Sequence, residues 1–171
     1  RIPATVRTKK GTVLAFAEAR KHSRSDTGDI NLVLRRSTDG GRTWGHIITV
    51  WDDAGNVCGN PAPVVDRETG RILLLSTWND GTDHEKDIHA RTAKDTRRVF
   101  VLYSDDDGLT WSSPREITPS VKREDWTWYA TGPCHAIQLQ KGRHKGRIVV
   151  SCNHGLFKDG KGAGSYSHLI Y

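Results

Sequence analysis

Apolar residues fall along this chain in short runs, separated by clusters of Gly, Asp, Asn, Ser and Pro. No stretch sustains the 3.6-residue apolar period of an amphipathic helix, so helix is expected to be scarce. Residues 12–17 (Thr-Val-Leu-Ala-Phe-Ala) are unbroken, the pattern of a strand buried on both faces. Similar runs follow at 31–34, 47–51 and 60–66. Arg71-Ile72-Leu73-Leu74-Leu75-Ser76-Thr77-Trp78 is the strongest strand pattern in the sequence, and residues 79–95 then form a long polar excursion. Further strands are predicted at 98–104, around Ile117, and at 134–139, 147–152 and 166–170.

One turn occurs twice. Ser37-Thr38-Asp39-Gly40-Gly41-Arg42-Thr43-Trp44 and Ser104-Asp105-Asp106-Asp107-Gly108-Leu109-Thr110-Trp111 share the pattern Ser-x-Asp-x-Gly-x-Thr-Trp, each directly after a strand run. Asp and Ser side chains can bond nearby backbone N–H groups, and glycine admits the positive φ of a tight turn. The closing Trp supplies a large ring to pack against the sheet. The repeat therefore predicts a structural hairpin turn. Short strands, turn signals and an internal repeat together predict an all-β array of propeller type. At four strands per blade, these strands fill about two to three blades. The chain, 1–171, is therefore expected to be a fragment of a larger propeller, or one chain of a divided one, whose remainder is an expected partner.

Composition narrows this picture only slightly. The net charge is +6, but Lys and Arg are scattered among 20 acidic residues. That argues for a solvated surface with room for a small-anion pocket rather than for nucleic acid. Nothing approaches the roughly 18 consecutive apolar residues of a membrane span. Cys58, Cys134 and Cys152 lack metal-ligand spacing, and an odd count disfavours a full disulfide framework, so buried free thiols are expected. His84, Glu85, Asp87 and His89 superficially resemble a metal cluster, but they lack a zinc-protease pattern and are read as a solvated loop.

Five stretches carry candidate chemistry. The chain opens Arg1-Ile2-Pro3; the first long run ends Glu18-Ala19-Arg20; Asp26 lies six residues on, within Ser25-Asp26-Thr27-Gly28-Asp29. Gly59-Asn60-Pro61 opens another strand, and Trp126-Thr127-Trp128-Tyr129-Ala130-Thr131-Gly132-Pro133 precedes a further one. Together with the two repeated turns, this set resembles the N-terminal part of the catalytic domain of bacterial exo-sialidases (neuraminidases), over essentially the whole chain. The repeated turns look like that family's Asp boxes, and the Arg-Ile-Pro head with the Arg20/Asp26 spacing is the more specific signal.

The resemblance implies a six-bladed propeller when complete. It implies a retaining exo-α-sialidase that releases terminal sialic acid from glycoproteins, glycolipids and oligosaccharides, with a secreted or periplasmic address and no metal or organic cofactor. Arg1 then looks like the first of three arginines that hold the substrate carboxylate, a role that suits a planar, permanently charged donor. Arg20 would line the sialic-acid pocket, or else form an ordinary ion pair with Glu18 or Asp26. Asp26 looks like the general acid/base that protonates the departing oxygen and then activates water, with Asp29 as the fallback. Asn60 stands where the family bonds the sugar's hydroxyl or N-acetyl side, although a turn role before Pro61 remains open. Trp126, Trp128 and Tyr129 are read as loop aromatics, with Trp126 and Trp128 as a wall for the apolar face of a sugar and core packing as the other reading. Cys134 and Ala136 stand where glycine is expected around His135. The tyrosine nucleophile and its glutamate, an exception to the usual carboxylate pair, have no counterpart here, so the chain alone is expected to be inactive. The rival readings are a non-catalytic Asp-box propeller that binds glycan or protein, and an Asp-box glycosidase with another substrate.

Overall fold

A computed structural model describes all 171 residues, which form two sheets with two short helices. The first four strands, β1 (Ala4–Arg7), β2 (Val13–Arg20), β3 (Ile30–Ser37) and β4 (Ile48–Trp51), pair antiparallel in chain order. The next four, β5 (Val57–Val65), β6 (Ile72–Asn79), β7 (Arg98–Ser104) and β8 (Arg115–Glu116), do the same. The last three, β9 (Trp126–Gln138), β10 (Ile148–Lys158) and β11 (Lys161–Ile170), form the second sheet, also antiparallel. These are three blades of an open all-β propeller. A single parallel bridge, Ile30 to Val57, joins the first two.

The core lies between blades, and this explains the apolar patterns. Leu14, Phe16, Leu32, Leu34, Ile72, Leu74 and Leu102 pack between the first and second blades. Ala62, Val64, Leu75, Val99, Tyr129 and Val150 pack between the second and third. The middle blade is covered on both faces, so β6 reads as a continuous apolar run. By contrast, β2 alternates: Leu14 and Phe16 are buried while Val13, Ala15 and Ala17 are half-buried. The expectation of burial on both faces is therefore corrected there.

Other local expectations change too. β1 was not anticipated, because four residues carry too little pattern. Ile117 is not in a strand but precedes helix α2 (Thr118–Val121). The polar excursion contains α1 (Glu85–Ala90), anchored by the buried Ile88. Trp126, Trp128 and Tyr129 lie in β9 rather than in a loop, and Tyr129 is fully buried. All three cysteines are free, but Cys134 is exposed. Neither helix is long and apolar enough to cross a membrane.

The repeated turns join β3 to β4 and β7 to β8 with the same bonding. Ser37 Oγ donates to Asp39 at 2.7 Å and accepts from the Gly41 N–H at 2.8 Å; Ser104 Oγ donates to Asp106 at 2.8 Å and accepts from the Gly108 N–H at 2.9 Å. Each Asp also accepts the backbone N–H groups three and four residues ahead. Gly41 and Gly108 take φ of +93° and +81°, in the left-handed region that glycine enters without a Cβ clash. Trp111 meets the buried Phe16 edge-on at 5.6 Å, as an anchor should, whereas Trp44 stays 39% exposed. The second turn also docks on the first blade, because Asp107 accepts from Arg36 at 2.9 Å and from Thr12.

Thr43 donors hold the Asp39 carboxyl far below the usual carboxylate range. For Asp106, burial pushes upward, but the Thr110 and Ser104 donors outweigh it and leave the value at about 2. Both groups titrate lower in the folded chain than in the unfolded one, near pH 3.9, so they stabilise the fold above that pH and cease to as pH falls through their folded values. Melting temperature measured from pH 5 down to about 2 should fall less steeply for Asp106→Asn than for wild type. Parallel curves would contradict this role for the turn.

Candidate active site

Strand alternation builds the site. Along β2, residues 14, 16, 18 and 20 share one face, and the apolar series Leu14, Phe16 ends in Glu18 and Arg20. The result is two opposite charges side by side on the core-facing side of a strand end. Their side chains are only 4% and 7% exposed, and Arg20 Nη2 lies 2.7 Å from Glu18 Oε2. The other Glu18 oxygen accepts the Asn60 N–H at 3.0 Å, joining β2 to β5. This approach requires Gly59, since a Cβ there would stand 2.7 Å from Glu18 Oε1.

Arg20 gathers the loop after β2. Its Nη1 donates to the Arg24 carbonyl at 2.8 Å and the Ser25 carbonyl at 2.6 Å, and Nη2 reaches Asp26 Oδ1 at 2.6 Å. The Arg1 guanidinium donates to the same Arg24 carbonyl at 2.9 Å, while the backbones of Arg1 and Glu18 pair in both directions. Arg1, Arg20 and Asp26 therefore meet at one place, with the Asp26 side chain 63% exposed. Burial alone would lower the Arg20 pKa, but the bonds and charges of Glu18 and Asp26 outweigh it and raise it.

Asn60 has a φ of +52°, a left-handed conformation that Asn tolerates better than most residues. Its Oδ1 accepts from Arg97 Nη2 at 2.6 Å and from Thr77 Oγ1 at 2.9 Å. Arg97 is 3% exposed and has no carboxylate within ion-pair distance; it bonds Asn79 and the Tyr129 carbonyl, and its guanidinium lies 4.0 Å from the centre of the Trp128 ring. Burial lowers its pKa to about 10, still a cation at neutral pH. A cavity of about 150 Å³ opens among Arg20, Asp26, Asn60, Arg97, Trp128 and Glu85.

Asp26, Arg20, Asn60 and Trp128 thus line one cavity; Arg1 is not among its lining residues and is tied to them through the Arg24 carbonyl that Arg20 also holds. Trp126 does not join them. It stacks on His154 at 3.5 Å in the third blade, where His154 and His168 share a 2.9 Å Nδ1 contact and His168 bonds the Tyr129 hydroxyl at 2.9 Å. Burial, and then the neighbouring His154, lower the His168 pKa to about 4. Trp126 instead borders a separate groove of about 540 Å³ with Arg91, Arg98, Lys122 and Arg123.

Three charged lining residues were not read as part of the site. Glu18 was legible as a charge that continues the buried register of β2. Arg97 was not, since only the alternation of strand faces separates it from Arg98, which turns outward to Asp95 and Glu116. Glu85 sat in the stretch read as a solvated loop, and α1 carries it to the cavity. The two repeated turns lie at the opposite strand ends: Val13 pairs Ser37 while Arg20 pairs Ile30, and Ile72 pairs Ser104 while Trp78 pairs Arg98. At about 3.3 Å per residue, roughly 20 Å separates the turns from the cavity.

The chain is thus an open all-β propeller fragment with a cavity at its strand ends lined by two arginines and three carboxylates. The chain belongs to the BNR repeat-like domain family, whose profile matches residues 11–168. It is 38% identical over 159 positions to an exo-alpha-sialidase of Aspergillus fumigatus, covering 83% of this chain and 39% of that protein. To an exo-alpha-sialidase of Arthroderma benhamiae it is 36% identical over 159 positions, covering 83% and 38%. The fold superposes on a Hadza microbial sialidase with a TM-score of 0.78 at 28% identity, over 90% of this chain and 32% of that one. The chain thus spans less than two fifths of the length of each of these sialidases.

Removing the Glu18 carboxylate leaves the buried Arg20 guanidinium with only the mostly exposed Asp26 as its counter-charge, and breaking a buried pair typically costs about 3–5 kcal/mol. Glu18→Ala should lower stability by about that much in a denaturant titration, and more than Asp26→Ala, whose carboxylate is mostly in solvent. Equal losses would remove Glu18 from its central place.

Proposed function

We propose that the whole protein is a retaining exo-α-sialidase that removes terminal sialic acid from glycoconjugates, and that these 171 residues form the N-terminal part of its catalytic propeller. The observation that carries this reading is the convergence of Arg20, Asp26 and Asn60 around one cavity, with Arg1 bonded to the Arg24 carbonyl that Arg20 also holds, in a chain 38% identical to an exo-alpha-sialidase. Arg1 binds the substrate carboxylate through paired donors. Asp26, on an exposed loop that Arg20 draws toward the cavity, protonates the departing glycosidic oxygen and then takes a proton from the attacking water. The Asp26 carboxylate rests on Arg20, so proton transfer requires this contact to loosen. Trp128 offers its ring to an apolar sugar face.

The nucleophile is not assigned among these residues. Losing a nucleophile typically removes several orders of magnitude in rate, so the 171 residues alone should turn over sialosides at a small fraction of the full-length rate. In the full-length protein, Asp26→Ala should slow hydrolysis of sialyl-lactose about a hundredfold or more, while an activated aryl sialoside should lose much less. The difference arises because a good leaving group departs without a proton. Turnover of both substrates by wild type and variant is the measurement; equal losses would remove Asp26 from the acid role.

A further inference from the structure

Building on the sialidase reading, we infer that Arg97 is a positioning residue that fixes the polarity of Asn60, so that the side chain at this position presents only N–H donors and recognises a hydrogen-bond acceptor of the substrate. A guanidinium can donate but never accept. The atom of Asn60 that faces Arg97 Nη2 at 2.6 Å must therefore be the carbonyl oxygen, whichever way the Thr77 hydroxyl turns. Arg97 cannot move aside, because it is buried and also held by Asn79, by the Tyr129 carbonyl and by its contact with the Trp128 ring. The backbone of Asn60 is fixed as well: its N–H donates to Glu18 at 3.0 Å, and its carbonyl accepts from Thr131 Oγ1 at 2.7 Å. The Asn60 Nδ2 alone has no partner in the protein, and the residue lines the cavity. Two amide donors are thus left for the ligand.

The consequence is a selectivity that residue type alone does not give. A free Asn could rotate to suit a hydroxyl, a carbonyl or an N–H. This one cannot accept, so a substrate N–H placed against it would be unpaired. Arg97 is a positioning residue: it acts on the ligand through the Asn60 carboxamide.

Asn60→Asp in the full-length protein tests this cleanly. Asp keeps the shape, the left-handed backbone and both bonds received by Oδ1, and it gives buried Arg97 a carboxylate. The variant should therefore fold and melt at or above the wild-type temperature, while offering no N–H. With an aryl α-N-acetylneuraminide as substrate, its KM should rise about tenfold with kcat little changed. A KM within about twofold of wild type in the folded variant would overturn the inference. Arg97→Lys, which still only donates, should keep KM lower than Arg97→Gln, which lets the amide turn over; equal KM values would count against an orienting role. A wild-type protein without turnover would instead contradict the sialidase reading. In that event, titration with N-acetylneuraminic acid decides the inference: movement of the Asn60 side-chain amide resonances supports it, and resonances that stay still overturn it.

Discussion

Two buried charges of opposite sign meet through one residue, and the site depends on that junction. Glu18 accepts the Asn60 N–H and Arg97 donates to the Asn60 side chain, so a carboxylate from the first blade and a guanidinium from the second grip the same asparagine. Arg97 also donates to the Tyr129 carbonyl of the third blade. Burying a charge is unfavourable unless hydrogen bonds replace its water, which fixes both side chains tightly where those bonds exist. Because three blades share these bonds, the cavity lining is positioned by the packing of the blades and not by a flexible loop. Arg20 extends the same logic outward, drawing the loop that holds Asp26 against the strand ends.

The two ends of each blade do different work. At one end, the paired Ser-x-Asp-x-Gly turns satisfy their own backbones and dock one blade on the next through Asp107 and Trp111. At the other end, Arg20 at the end of β2, Asp26 on the loop after it and Asn60 in β5 line a shared cavity. Stability and chemistry are separated along the strand, so substitutions in the turns should alter the fold without touching the lining. The Trp126, His154 and His168 cluster likewise belongs to the third blade's own packing, although Tyr129 within it neighbours Trp128 in sequence.

Much of this was legible in the sequence where pattern is long or repeated. The β6 run and the duplicated turn announce themselves locally, and the all-β propeller follows from them and the other short strands; Arg1, Arg20 and Asp26 were legible only through the resemblance to sialidases. What escaped was set by packing. Trp126 and Trp128 stand two residues apart and look equivalent as a sugar wall; the side-chain orientation of β9 sends Trp128 to Arg97 and the cavity, and Trp126 onto His154. Arg97 and Arg98 are adjacent and chemically identical, yet one is buried and the other pairs at the surface. Glu85 needed the short helix α1, which no 3.6-residue apolar period announces because only Ile88 is buried in it.

The central claim is that the junction of Glu18, Asn60 and Arg97 with Arg1, Arg20 and Asp26 forms a sialic-acid site. The most direct measurement is a crystal structure of the full-length protein with N-acetylneuraminic acid bound. The account predicts the sugar carboxylate within hydrogen-bond distance of Arg1, the glycosidic carbon facing Asp26, and an acceptor oxygen on the Asn60 amide. Sugar bound instead in the groove beside Lys122, with this cavity left to solvent, would contradict it.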